Sequence, residues 1–152
     1  YVGIFNRSHY EDVLIVRVKN LVPQARWAPR YEHINDFERM LHDEGTAILK
    51  FYLHVSREYQ KERLQRRLDR PDKQWKFNPA DLAERERWGE YQEAYEEALS
   101  RCSTVHAPWY VIPAERRWFR NLLVARVVVD LFESLNMRHP SLSYDPSKIV
   151  IR

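Results

Sequence analysis

Glycine is scarce in this chain. An average protein of this size carries about ten or eleven glycines, yet the 152 residues hold three, Gly3, Gly45 and Gly89. They lie 42 and 44 residues apart. Glycines so widely spaced exclude from these residues the phosphate loops G-x-x-x-x-G-K-S/T and G-x-G-x-x-G. They also exclude collagen-like and glycine-linker segments. Cysteine is scarcer still. The single Cys102 cannot form an internal disulfide, so there is no secreted disulfide framework. It reads as a small core residue on a helix, and with no histidine paired to it a thiol nucleophile has little support. No apolar run approaches the roughly 18–20 residues of a membrane span. No signal-peptide pattern is visible, so the expectation is a cytoplasmic protein without a membrane partner. His9, His33 and His54 lack metal-ligand spacing, which argues against a zinc site.

What is present is an ordinary one-domain composition, 44% hydrophobic and 31% charged. The net charge is +3, but it is unevenly placed. Residues 57–76 carry eight Lys/Arg against four acids, so this segment holds +4 and the remainder of the chain sums to −1. A local basic patch points to a polyanionic partner. The opening Tyr1-Val2-Gly3-Ile4-Phe5 has no Met and reads as a chain entering inside a strand, which predicts a fragment of a longer protein.

Hydrophobic periodicity gives an order β-αα-β-αα-β-α, an α/β class with a parallel sheet. The predicted strands are Val2–Phe5, Ala47–Val55 and Trp109–Ile112. The first two are separated by about forty residues holding two helices, which suits a parallel crossover rather than a hairpin. The helices are Tyr10–Leu21, Arg30–Glu44 with Ile34, Phe37 and Leu41 on one face, and a basic helix after the cap Ser56 that Pro71 ends. A long helix follows, capped by Asp81, with Trp88, Tyr91, Tyr95, Ala98 and Cys102 inward. The last, Glu115–Leu135, is read with Leu122, Ala125, Val129 and Phe132 inward. Residues 138–152 look like an irregular extension.

Ligands of parallel sheets bind beyond the carboxyl ends of the strands. Those ends deliver Asn6, Arg7 and Glu11 from the first strand and the basic helix from the second. The third delivers Arg116, Arg117 and Arg120. Guanidinium forks match phosphate oxygens. Each feature has a plainer alternative. Arg7 is able to pair with Glu11, and the basic helix reads equally as a solvated face laced with i,i+4 ion pairs. Against that, Arg63 and Arg67 share a face and repel unless an anion intervenes, and Trp75 needs a packing or ligand role.

The stretch Ile4-Phe5-Asn6-Arg7-Ser8-His9-Tyr10-Glu11-Asp12-Val13 closely resembles the Walker B region of the polyphosphate kinase 2 family. So do Gln60-x-x-Arg63-x-x-x-Arg67, Pro71-Asp72-Lys73-Gln74-Trp75-Lys76-Phe77, Trp88-x-x-Tyr91, Ala107-Pro108-Trp109-Tyr110-Val111 and Arg117-x-x-Arg120-Asn121. The resemblance runs from Tyr1 to about Met137 and implies the C-terminal part of a P-loop kinase related in fold to thymidylate kinase. That fold is a parallel sheet with helices on both faces and a helical lid at about 57–80. It further implies phosphoryl transfer between inorganic polyphosphate and AMP or ADP, with Mg²⁺. Arg7 would be the catalytic Walker B arginine, with Asn6, Glu11, Arg117 and Arg120 at the nucleotide. Arg63, Arg67, Lys73 and Lys76 would be the polyphosphate contacts of the lid. No metal ligand is assigned. A strict Walker B strand ends in Asp where this chain has Asn6, and the phosphate loop with its Lys and Asp is absent, which predicts a piece inactive by itself. Exposed sheet edges predict either incomplete order or pairing with another chain, and a homo-oligomer is expected. The competing class is a non-catalytic basic module that docks on nucleic acid or another polyanion; the resemblance favours polyphosphate and adenine nucleotides over nucleic acid.

Overall fold

The computed structural model describes residues 1–150. Two strands, β1 (Lys50–His54) and β2 (Trp109–Pro113), pair in parallel with Lys50 opposite Trp109 and His54 opposite Pro113. Between them run α4 (Arg57–Asp69), α5 (Ala80–Glu86) and α6 (Trp88–Cys102). Before β1 lie the short helices α1 (Ile15–Val18) and α2 (Gln24–Trp27) and the longer α3 (Arg30–Asp43). After β2 comes α7 (Arg117–Ser134). The pair is parallel, as the α/β order predicts, but it joins the second and third expected strands; the crossover expected from the spacing of the first two is not formed, because residues 1–5 are not a strand.

The core lies among the 3₁₀ turn His9–Asp12, α1, α2, α3 and α6. Tyr10, Val13, Leu14, Val18, Trp27, Tyr31, Ile34, Ala94, Ala98 and Cys102 are all buried there. β1 meets this core through alternate residues. Lys50 reaches the Cys102 carbonyl and the Tyr52 ring lies 4.7 Å from that of Tyr95, so both face α6. α3 buries Tyr31, Ile34 and Glu38, a 3,4 spacing typical of a helix face. Its expected inward residue Phe37 stands 44% exposed instead. Gly45 closes α3 at φ +83, with Thr46 N–H donating to the Leu41 carbonyl and Gly45 N–H to that of His42, both at 2.9 Å. This is a Schellman closure, and it needs glycine because the left-handed region penalises a Cβ.

Several expectations are corrected. Residues 1–5 form no strand, and Val2, Ile4 and Phe5 are exposed. An extended segment becomes a strand only through ladder partners, and among the described residues the sheet has two strands. The segment 10–21 keeps its buried helical spacing but is broken into the 3₁₀ turn and α1, which Asn20 (φ +49) closes, so Leu21 turns outward. The long helix expected from Asp81 is two helices meeting at Arg87, because the apolar stripe begins only at Trp88. Asp81 is no cap; Asn78 Oδ1 accepts from Ala80 N–H at 3.1 Å. α7 packs on β2 but buries none of its residues, and Leu122, Val129 and Phe132, read as inward, are exposed. Their periodicity is genuine, but nothing among the described residues covers them.

Candidate phosphate-handling site

Both helices that leave the strands begin at the same edge. Ser56 caps α4, its Oγ accepting from Tyr59 N–H at 3.1 Å. Arg116 is the residue before α7. Between these helix starts lies an open cleft of about 450 Å³ lined by His54, Ser56, Pro113, Glu115, Arg116, Trp118 and Phe119. Glu115 joins its two sides, Oε1 accepting from Ser56 N–H at 3.0 Å and from Ser56 Oγ–H at 2.7 Å. Those hydrogen bonds hold the exposed Glu115 carboxyl below its usual range. The cleft sits where parallel sheets take their ligands.

The charge at α7 runs against helix preference. A helix N-terminus carries a partial positive charge and favours acids in its first turn. The first turn of α7 has none, and Arg116, Arg117 and Arg120 cluster there instead. Cations added to the positive end of a helix make a strong anion site. Arg117 is exposed, whereas Arg120 is half-buried and donates from Nε and Nη2 to Asn121 Oδ1 at 3.1 and 2.9 Å.

Arg7 lies far upstream of these arginines in the chain. It is exposed, and its backbone is left-handed at φ +73. A non-glycine residue there is strained, and such outliers concentrate at functional sites. Arg7 and Glu11 both act electrostatically on the Tyr95 hydroxyl. Burial pushes that hydroxyl's pKa up, Glu11 adds to the rise and Arg7 opposes it. Asn6 is exposed beside them, and Ser8 caps the following turn, its Oγ accepting from Tyr10 N–H at 3.4 Å.

The basic segment forms a helical hairpin. Arg85 of α5 donates to the Arg57 carbonyl at 2.6 Å and to Gln60 Oε1 at 2.9 Å, folding α5 back along α4. Arg63 and Arg67 share a face, and the repulsion between them is relieved in part by Asp81, 3.6 Å from Arg67. Lys73 lies 3.2 Å from Asp72, which Arg70 also clamps through two hydrogen bonds. Trp75 is 77% exposed. Its indole N–H donates to the Asp72 carbonyl at 3.1 Å, and Lys76 Nζ lies 4.8 Å from its ring centroid. Lys73 and Lys76 follow the far end of α4, about 20 Å of helix from its Ser56 end. Lys73 and Lys76 therefore lie at the opposite end of this helix from the α7 arginines.

Sequence reading missed a buried ionic cluster. Lys50 Nζ donates to Glu38 Oε2 at 2.6 Å, to the Tyr10 hydroxyl at 2.8 Å and to the Cys102 carbonyl at 2.7 Å. Burial alone would push the Glu38 carboxyl up; the bonds from His9 and Lys50 outweigh it and hold that carboxyl below its usual range. Burial also lowers the Lys50 pKa, and the Glu38 carboxylate offsets only part of that. The signal available was a lone lysine in an otherwise apolar strand. Among the described residues no group of three or more His, Cys, Asp or Glu converges as a metal-ligand set. No helix among the described residues is long and apolar enough to cross a membrane.

A parallel strand pair flanked by helices, with arginines gathered at the start of α7, defines an α/β protein. Its lineage is specific: residues 1–140 match the family model of polyphosphate kinase 2 (PPK2), and the chain belongs to that family. The AMP/ADP-polyphosphate phosphotransferase of Meiothermus ruber is 60% identical over 148 residues, covering 97% of this chain and 55% of that protein. The ADP-polyphosphate phosphotransferase of Rhodopseudomonas palustris is 43% identical over 151 residues, covering 91% and 52%. The crystal structure of polyphosphate kinase 2 from Arthrobacter aurescens shares the fold with a TM-score of 0.93 at 43% identity, over 96% of this chain and 52% of that one. The chain thus spans about half the length of the curated relatives it matches.

Proposed function

We propose that this chain forms part of a polyphosphate-dependent nucleotide kinase that moves phosphoryl groups between inorganic polyphosphate and AMP or ADP. The observation that carries the reading is the α7 start, where Arg116, Arg117 and Arg120 replace the acids a helix prefers, beside a cleft at the strand exits. The names of the Meiothermus and Rhodopseudomonas relatives support the polyphosphate and adenine-nucleotide substrates. Phosphoryl transfer asks the protein for positioning and charge neutralisation more than for covalent chemistry.

In this reading Arg7 holds the transferring phosphate, Asn6 and Glu11 lie at the acceptor nucleotide, and Arg117 and Arg120 neutralise phosphates at the cleft. Residues 57–80 act as a lid whose Arg63, Arg67, Lys73 and Lys76 meet the polyphosphate chain and exclude water. Residues 138–152 are an extension outside the catalytic unit; Ile151 and Arg152 lie outside the described residues. Mg²⁺ is proposed to enter bound to the substrate phosphates, since these residues offer no carboxylate cage for it. The phosphate loop is proposed to lie outside these 152 residues, so the chain alone is expected not to sustain transfer. A cytoplasmic location, where adenine nucleotides are held, accords with the reading, and self-association through uncovered edges is expected.

The test incubates the full-length polypeptide that carries this chain with AMP, polyphosphate and Mg²⁺. Formation of ADP that requires polyphosphate supports the reading. Tight binding to duplex DNA or RNA without any nucleotide turnover would instead establish the non-catalytic module.

A further inference from the structure

Lys50 has three N–H donors and uses each of them, on Glu38, Tyr10 and the Cys102 carbonyl. The second oxygen of Glu38, Oε1, lies 3.2 Å from His9 Nε2. Glu38 is wholly buried and Lys50 nearly so. Stability alone does not call for such a pair, because apolar residues of similar volume hold a core as well or better. What sets this cluster apart is where it points. From α3 and β1 it grips two consecutive residues, His9 and Tyr10, and these sit between Arg7 and Glu11 in the chain. The His9 ring is further held against Tyr10 at 4.9 Å and edge-on to Phe37 of α3 at 5.4 Å. Arg7 itself rests in a left-handed conformation that a non-glycine residue keeps only where its surroundings over-determine it.

We propose that Glu38 is a positioning residue: the buried Glu38–Lys50 pair fixes His9 and Tyr10 and through them sets Arg7 and Glu11 for phosphoryl transfer. This inference rests on the roles given to Arg7 and Glu11 under the proposed function. Glu38 touches no substrate. Its carboxylate anchors the segment from behind, so the strain at Arg7 is held by a charged, fully hydrogen-bonded network rather than by the exposed residues around it.

The experiment compares full-length enzyme bearing His9→Ala, His9→Gln, Glu38→Gln, the His9→Ala/Glu38→Gln pair, and Arg7→Ala as reference. kcat, KM for AMP and Tm are measured for each. His9→Ala leaves the buried Glu38 Oε1 without its donor and should lower Tm by several degrees, while kcat measured well below that Tm falls about tenfold. His9→Gln, whose amide is able to donate to Glu38 Oε1, should recover most of that rate. The double variant should fall no further than the poorer single, since both act through one chain of contacts. Unchanged kcat in His9→Ala, no rescue by Gln, or multiplicative losses in the pair would each overturn the inference. Should Glu38→Gln not fold, the His9 pair still decides. Full activity in Arg7→Ala would instead overturn the site assignment beneath it, and loss in Arg7→Ala with silent His9 variants would remove the positioning role alone.

Discussion

Glu115 and Ser56 tie the two strand exits together. One carboxylate oxygen after β2 accepts from both the amide (3.0 Å) and the hydroxyl (2.7 Å) of the residue that caps α4. Ser56 therefore serves two purposes, closing the first turn of α4 through Tyr59 N–H and fastening it to the foot of α7. Ser56→Ala should cost about 1 kcal/mol through loss of the cap and speed amide exchange in the first turn of α4. Glu115→Gln keeps an acceptor oxygen and should disturb exchange there less than Glu115→Ala. Equal exchange in all three variants would show that this link does not hold the helix.

The buried pair makes a sharp prediction about stability. Lys50→Met leaves the Glu38 carboxylate without its cation and should cost about 3–5 kcal/mol in urea unfolding. Adding Glu38→Leu to that variant should recover much of the loss, because a fully apolar replacement carries no unpaired charge. No recovery in the double variant would show that the network contributes more than charge compensation.

The same cluster sets an acid limit. The Glu38 carboxyl is held below its ordinary value of 4.5. Its stabilising contribution is therefore complete above that ordinary value and is lost as pH falls through the depressed one. The wild-type Tm should decline steeply across this acid range, and Glu38→Gln, with no proton to gain there, should show a flatter decline. Parallel profiles would exclude Glu38 as the source.

At Gly45 nothing lies within 4 Å of an added Cβ, so only the backbone opposes substitution. Gly45→Ala should destabilise by about 1–2 kcal/mol through the left-handed φ, measurable as a lower urea midpoint with an unchanged slope.

Arg67 has a carboxylate neighbour in Asp81, whereas Arg63 makes no ion pair among the described residues. Arg63→Ala should therefore raise KM for polyphosphate more than Arg67→Ala does, each by about two- to fivefold. Both effects should shrink as salt is added, because exposed charges are screened. Salt-independent KM values would argue against electrostatic capture by this helix.

The legible part of the fold was that specified locally. β1 is a short apolar run, α3 and α6 carry a 3.6-residue apolar stripe, and breakers or caps such as Gly45, Ser56, Pro71 and Pro113 bound α3, α4 and β2. The parts that misled were those whose state depends on partners. Val2–Phe5 and the apolar stripe of α7 have the right patterns, yet among the described residues nothing pairs or covers them. Within the candidate site, the arginines were visible because charge at a strand exit is a local signal. Glu38, Lys50 and Glu115 were not, because their meaning lies in contacts across 12, 40 or 59 residues. Sequence spacing does not disclose such contacts.

The central claim is most directly tested at Arg7. Polyphosphate-dependent conversion of AMP to ADP is measured for the full-length polypeptide and its Arg7→Ala variant. The account predicts a kcat lowered about a hundredfold or more with Tm unchanged, because Arg7 is exposed and carries no packing. Equal rates in the two proteins would contradict it.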